Sequence, residues 1–101
     1  MPDITWIHYA RPRSSWYSLG AAEREKYLGA FGSVREGSTA RGGRCEGTFH
    51  VRGHGDFETV EIWFFPEPDA AFDHWNRLTT AGYARWFAFA NNLGTRMEPP
   101  A

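Results

Sequence analysis

The stretch ETVEIWFFPEPDAAFDHWNRL, residues 58–78, changes its period half-way. Val60, Ile62 and Phe64 alternate with Glu61, Trp63 and Phe65, the two-residue repeat of a strand, and both sets are mostly apolar. Pro66 and Pro68 end the ladder, because proline lacks a backbone donor and fixes its own φ. Asp69 follows, where a carboxylate suits the positive end of a helix. Ala71, His74, Trp75 and Leu78 then recur at i, i+3, i+4 and i+7. The pattern predicts a strand and then a helix over residues 70–80, with Trp63 near the strand's end and His74 on the helix's apolar side.

Outward from this segment, residues 3–10 read as a strand with Ile4, Trp6, His8 and Ala10 on one face and Thr5, Ile7 and Tyr9 on the other. Residues 20–31 read as a helix, entered at Gly20 with Glu23 in its first turn. Its inner stripe is Tyr27, Leu28 and Phe31, with Arg24 on the same line. Gly32 suits a C-terminal cap, and GSVREGSTARGG (residues 32–43) reads as a loop. A second strand follows in GRCEGTFHVRG, with Cys45, Phe49 and Val51 on one face and Arg44, Glu46, Thr48, His50 and Arg52 on the other; GHGD (residues 53–56) is its turn. YARWFAFANNLG (residues 83–94) reads as a third helix or an extension of the second, with residues 95–98 as a short last strand. The order βαββαβ predicts an α+β, ferredoxin-like fold with a four-stranded antiparallel sheet, in one domain over residues 1–101. Helices cover one face of such a sheet. The other, apolar in the strand of residues 57–65, is costly to leave in water, so a second copy of the chain is expected to cover it.

Composition narrows the functions. A chain of 101 residues buries roughly two thirds of its unfolded surface, enough for one core. Eight Phe, five Trp and four Tyr supply that core and suit a pocket for a flat apolar ligand. A net charge of −1 argues against nucleic acid as a partner. Cys45 is the one cysteine, so neither an internal disulfide nor a thiolate-rich metal site is expected. No apolar run has the length of a membrane span, and the start has no basic-then-apolar leader, so no membrane association and a cytoplasmic location are expected. No glycine-rich phosphate loop joins a strand to a helix.

The Glu61-x-Trp63 strand end, the break after it and His74 on the following helix resemble the dimeric α+β barrel superfamily, and within it the antibiotic-biosynthesis-monooxygenase-type branch. That branch often carries an Asn on its first strand; His8 is the nearest polar candidate here. The segment WFAFANNLG is longer and more aromatic than the branch's usual C-terminal part. The resemblance implies a pocket between sheet and helices, a homodimer, and no metal or organic cofactor. Activities known in the superfamily include cofactor-free oxygenation of phenolic polyketides, haem degradation, isomerisation and cyclisation, so fold does not select the reaction.

Each candidate has a functional and a packing role. His74 is a proton carrier of the pocket or a core histidine bonded to a backbone carbonyl. His8, with Trp6 on the same face, completes a polar pair in the pocket or is a satisfied strand histidine. Trp63 stacks on a ligand or packs in core or interface. Arg24 neutralises an oxyanion or snorkels to water. Trp86 or Phe87 closes one end of the pocket, with Asn91 or Asn92 at its rim, or the rings fill the core and the Asn residues cap a helix. The leading expectation is a small enzyme of secondary metabolism acting on a hydrophobic aromatic or polyketide-like metabolite. His74 or His8 would deprotonate it, before oxygenation, cyclisation or isomerisation. The alternatives are a haem-binding protein of the same fold with His74 as axial ligand, and a non-catalytic small-molecule-binding or structural dimer.

Overall fold

A computed structural model describes residues 4–97. Strand β1 (Ile4–Pro12) leads through a single turn, α1 (Ser14–Tyr17), into the long helix α2 (Ala21–Ala40). Strands β2 (Arg44–His50) and β3 (Thr59–Phe65) follow, then α3 (Pro68–Thr80), the short α4 (Tyr83–Trp86) and β4 (Phe87–Thr95). The sheet order is β2-β3-β1-β4 and every neighbouring pair is antiparallel, the expected ferredoxin-like α+β arrangement. Asp3 and Glu98, expected at the ends of the first and last strands, lie outside the described residues.

Five sequence expectations change. Residues 32–40 are helical, not a loop. Gly32 and Gly37 lower helix propensity, but packing outweighs propensity where one face is anchored. Ser38 is buried against His74, Arg35 pairs with Glu61, and Arg77 reaches the Val34 carbonyl. A Cβ at Gly37 would lie 2.9 Å from the Arg77 guanidinium, the movable end of a long side chain. Leu28, placed on the inner stripe by spacing, is 52 % exposed.

Residues 87–95 form a strand, not a helix. FAFA is an alternation, and β1 offers it a free edge along its whole length, from Pro12 opposite Phe87 to Ile4 opposite Thr95. Phe89, Asn91 and Leu93 therefore stand opposite Ala10, His8 and Trp6 on the helix side of the sheet. Residues 95–98 are not a separate strand: Thr95 ends β4.

In β2 the register shifts between Cys45 and Gly47. This bulge puts Cys45 opposite Trp63 but Phe49 opposite Val60, so the two do not share a face as strict alternation implied.

The core lies between sheet and helices and contains Trp6, Phe31, Trp63, Phe65, Leu78 and Tyr83. A second aromatic cluster joins Trp16, Tyr27, Trp86 and Phe87. On the outer face Ile7, Tyr9, Val60, Ile62 and Phe64 are half-buried and Phe49 is exposed, so this face is apolar with no helix above it. Among the described residues no helix is long and apolar enough to cross a membrane.

Trp86 is buried, with ring centroids 5.4 Å from Tyr27 and 6.5 Å from Trp16. We expect Trp86→Ala to cost about 3–5 kcal/mol, the usual loss for a core tryptophan, measured by urea unfolding. A loss below about 1 kcal/mol would show that the ring carries little of the packing.

Candidate functional site

Two polar groups are buried on the helix side of the sheet. The first starts from β1, where the strand period turns His8 inward beside Trp6. Trp6 stacks on the imidazole with centroids 4.9 Å apart. Asn91 stands opposite His8 on β4, and its side-chain oxygen accepts from Nδ1 at 2.5 Å. Tyr83, at the start of α4, donates its hydroxyl to Nε2 at 2.7 Å. The two contacts fix the tautomer: Nδ1 carries the proton and Nε2 is the base. Burial lowers the His8 pKa; the bond to Asn91 and the charge of Glu61 only partly offset it. Burial also raises the pKa of Tyr83, so both partners are neutral near pH 7.

Beside this relay lies Glu61, 6 % exposed, on the neighbouring strand opposite His8. It accepts from Trp63 Nε1 at 2.7 Å, Arg35 Nε at 3.3 Å and Thr48 Oγ1 at 3.0 Å. Burial pushes its carboxyl pKa up, but the Arg35 charge and these hydrogen bonds outweigh that and leave it below its ordinary value. The carboxylate is thus a buried, paired anion. His8, Tyr83, Glu61 and Arg35 line one cavity of about 210 Å³ with Phe31 and Phe87, between the sheet and α2.

The second group is sealed. His74 is fully buried, with its ring 4.7 Å from Trp63, 5.0 Å from Trp6 and 5.3 Å from Phe65. Nδ1 shares a hydrogen bond with Ser38 Oγ on α2, and that oxygen also accepts from Arg77 Nη2 at 2.8 Å. Nε2 is buried and has no hydrogen-bond partner. Burial pulls the His74 pKa down to about 4.

The structure thus brings His8, Trp6, Asn91 and Phe87 to cavity walls: Phe87 lines the His8 cavity, while Trp6 and Asn91 line a second, apolar one of about 360 Å³ with Ala71, Phe72, Trp75 and Leu93. His74 and Trp63 are in the lining of neither. Trp63 is held by Glu61 and stacks on Phe65, with centroids 5.5 Å apart. Arg24 donates to the Leu19 carbonyl at the turn before α2, and Trp86 packs in the second aromatic cluster. Asn92 is exposed, opposite Ile7. Sequence reasoning missed Tyr83, Arg35, Ser38 and Arg77 as polar partners. A signal existed for two of them, since Arg35 and Ser38 extend the stripe of Phe31 at helical spacing. Among the described residues no group of three or more His, Cys, Asp or Glu is placed to hold a metal ion.

No family model and no curated protein matches the sequence. Solved structures do match in fold. A variant of chlorite dismutase from Candidatus Nitrospira defluvii superposes with a TM-score of 0.76 at 14 % identity, over 97 % of this chain and 41 % of that one. A novel haem-binding protein from Thermus thermophilus matches with a TM-score of 0.72 at 19 % identity, over 94 % and 40 %. PA3566 from Pseudomonas aeruginosa matches with a TM-score of 0.58 at 17 % identity, over 97 % of both chains. The chain therefore spans about two fifths of the length of the first two. The likeness establishes the fold alone, the ferredoxin-like α+β arrangement. It does not single out the antibiotic-biosynthesis branch.

A histidine whose pKa is 6.5 when unfolded and about 4 when folded takes up a proton only on unfolding within that window. The unfolded chain then binds more protons, so stability falls as pH drops. From about pH 7 to about pH 4 this one group removes roughly 3 kcal/mol. We expect the stability of His74→Gln to depend less steeply on pH than that of the parent over this range, by urea unfolding. Equal pH slopes for the two proteins would contradict the burial of His74 as a neutral base.

Proposed function

We propose that this chain binds haem on the helix side of its sheet, with His74 supplying the ligand to iron. The observation that carries this reading is the unpartnered Nε2 of His74. A buried N–H without an acceptor is rarer and costlier than an unused lone pair. The tautomer with Nδ1–H donating to Ser38 therefore leaves Nε2 as a bare lone pair among aromatic rings. Such an imidazole, neutral and oriented through its other nitrogen, has the chemistry of an axial ligand. Ser38 orients the ring, Arg77 holds Ser38, and Trp63 and Phe65 exclude water. Trp6 touches His74 and also lines the apolar cavity of about 360 Å³, whereas His74 lines no described cavity, so ligation requires the Trp6 ring to move aside. Bound haem would supply a redox-active iron. The fold shared with a haem-binding protein of Thermus thermophilus supports this reading over the secondary-metabolism enzyme expected from the sequence.

The same proposal includes a homodimer. The outer sheet face presents Ile7, Tyr9, Val60, Ile62 and Phe64, and a second copy of that face is its natural complement.

A second reading has its own observation: the His8–Tyr83–Asn91 relay stands on a cavity wall. There the chain would act as an acid/base enzyme on a hydrophobic small molecule, without an organic cofactor. His8 Nε2 would accept a proton through the Tyr83 hydroxyl, and Arg35 would face the developing anion.

Haemin titration tests the first reading. The expected result is a shifted Soret band saturating at one haem per chain, and loss of that shift in a folded His74→Ala variant. Free-haemin absorbance in the presence of folded parent protein would overturn it. For the dimer, light scattering is expected to give twice the 11.5 kDa chain mass, reduced to one chain by Ile62→Glu. A monomeric parent would remove that part of the proposal.

A further inference from the structure

We infer that the apolar cavity between α3 and the β1–β4 side of the sheet binds an uncharged ring compound that accepts a hydrogen bond. The inference goes beyond the haem reading: it needs no iron and leaves the Trp6 ring in place. The cavity, about 360 Å³, is walled by Trp6, Ala71, Phe72, Trp75, Asn91 and Leu93. Small-molecule sites usually hold roughly 300–1,000 Å³ and are mostly apolar with a few placed polar groups. No charged side chain stands in this wall, so nothing in it favours an ion. Phe72 and Leu93 are exposed beside the cavity. A contiguous apolar patch open to water is the usual mark of a binding surface.

Asn91 decides the polar chemistry. It stands opposite His8, whose Nδ1 donates to its side-chain oxygen at 2.5 Å. His8 lines the cavity on the α2 side and Asn91 the one on the α3 side, so the amide spans the partition between them. With its oxygen turned to His8, its NH2 group is turned the other way. Asn91 Nδ2 and the indole Nε1 atoms of Trp6 and Trp75 have no acceptor among the described residues. None of the three is sealed, since the sealed, unpartnered side-chain atoms described are His74 Nε2 and Trp86 Nε1. Trp6 is 2 % exposed, and of the described cavities it lines this one alone, so the little surface it keeps faces this space. The side chains of this wall therefore have N–H donors to spare. A ligand with a carbonyl oxygen on an apolar ring matches both, the oxygen accepting from Asn91 and the ring lying against the apolar wall.

Acetophenone and α-methylstyrene, in which CH2 replaces the carbonyl oxygen, are titrated into the full chain, and the side-chain N–H signals are followed by NMR. The expected result is saturable acetophenone binding that moves the Asn91 amide and the Trp6 and Trp75 indoles, but not the indoles of Trp16 and Trp86, which line neither cavity. Asn91→Asp keeps an oxygen for His8 and replaces the amide donor with an acceptor. It should lower the ratio of acetophenone to α-methylstyrene affinity about fivefold or more, as one hydrogen bond allows. Taking the ratio cancels the difference in hydrophobicity between the probes. Phe72→Ala, at an exposed position, should weaken both probes alike. No saturable binding, shifts centred on Trp86, or a ratio unchanged by Asn91→Asp would each overturn the site. If Asn91→Asp does not fold, the parent decides: its Asn91 amide signal must move downfield with acetophenone and not with α-methylstyrene. Acetophenone binding in a protein that leaves the haemin spectrum unshifted would remove the haem reading and leave this site standing.

Discussion

Three ionisable side chains, His8, Glu61 and His74, lie buried on one side of a sheet in a domain of 101 residues. A charge or an unpaired polar atom in such a place costs several kcal/mol, against a total stability of about 5–15 kcal/mol. Most of the polar architecture answers that constraint. Glu61 is paired by Arg35, Trp63 and Thr48; His8 is held between Asn91 and Tyr83; His74 is tied on one side to Ser38. The long α2 helix serves all of this, since Arg35 and Ser38 sit in its last two turns. Only His74 Nε2 and Trp86 Nε1 remain without partners among the buried side-chain atoms described.

The two histidines are separated by chemistry as well as position. Trp6 stacks flat on His8 and meets His74 edge-on, so one ring touches both without joining them by a hydrogen bond. His8 has both nitrogens engaged and borders a cavity of about 210 Å³; His74 has one nitrogen idle and borders none of the described cavities that flank Trp6 and His8. The first arrangement suits proton exchange with a small molecule, the second suits ligation. The ferredoxin-like fold accommodates either, so these side chains, and not the fold, carry the functional argument.

Much of the fold was legible because strand β3 and helix α3 announce their periods and are separated by two prolines. The inward face of β1 was equally plain, placing Trp6 and His8 together. The end of α2 and the whole of β4 were misread for one reason. Glycines at 32 and 37 and an aromatic-rich run at 83–89 are local signals, whereas the partners that settle these segments are 26 to 83 residues away in sequence. Strand pairing with β1 converts a helix-like stripe into an alternation, and the Glu61 and His74 contacts hold α2 through residues that favour a loop. The Tyr83 hydroxyl was hidden by the same error, because a helix over residues 83–94 gives no reason to pair it with His8 on β1.

The central claim is that both buried histidines are neutral at pH 7 with the proton on Nδ1. The ring-nitrogen chemical shifts of His8 and His74, followed by NMR as pH falls, test it directly. The predicted result is the Nδ1–H tautomer for both, a hydrogen-bonded Nε2 in His8, a free Nε2 in His74, and no protonation of His74 until near pH 4. An Nε2–H tautomer for His74, or its ordinary titration near pH 6.5, would contradict it.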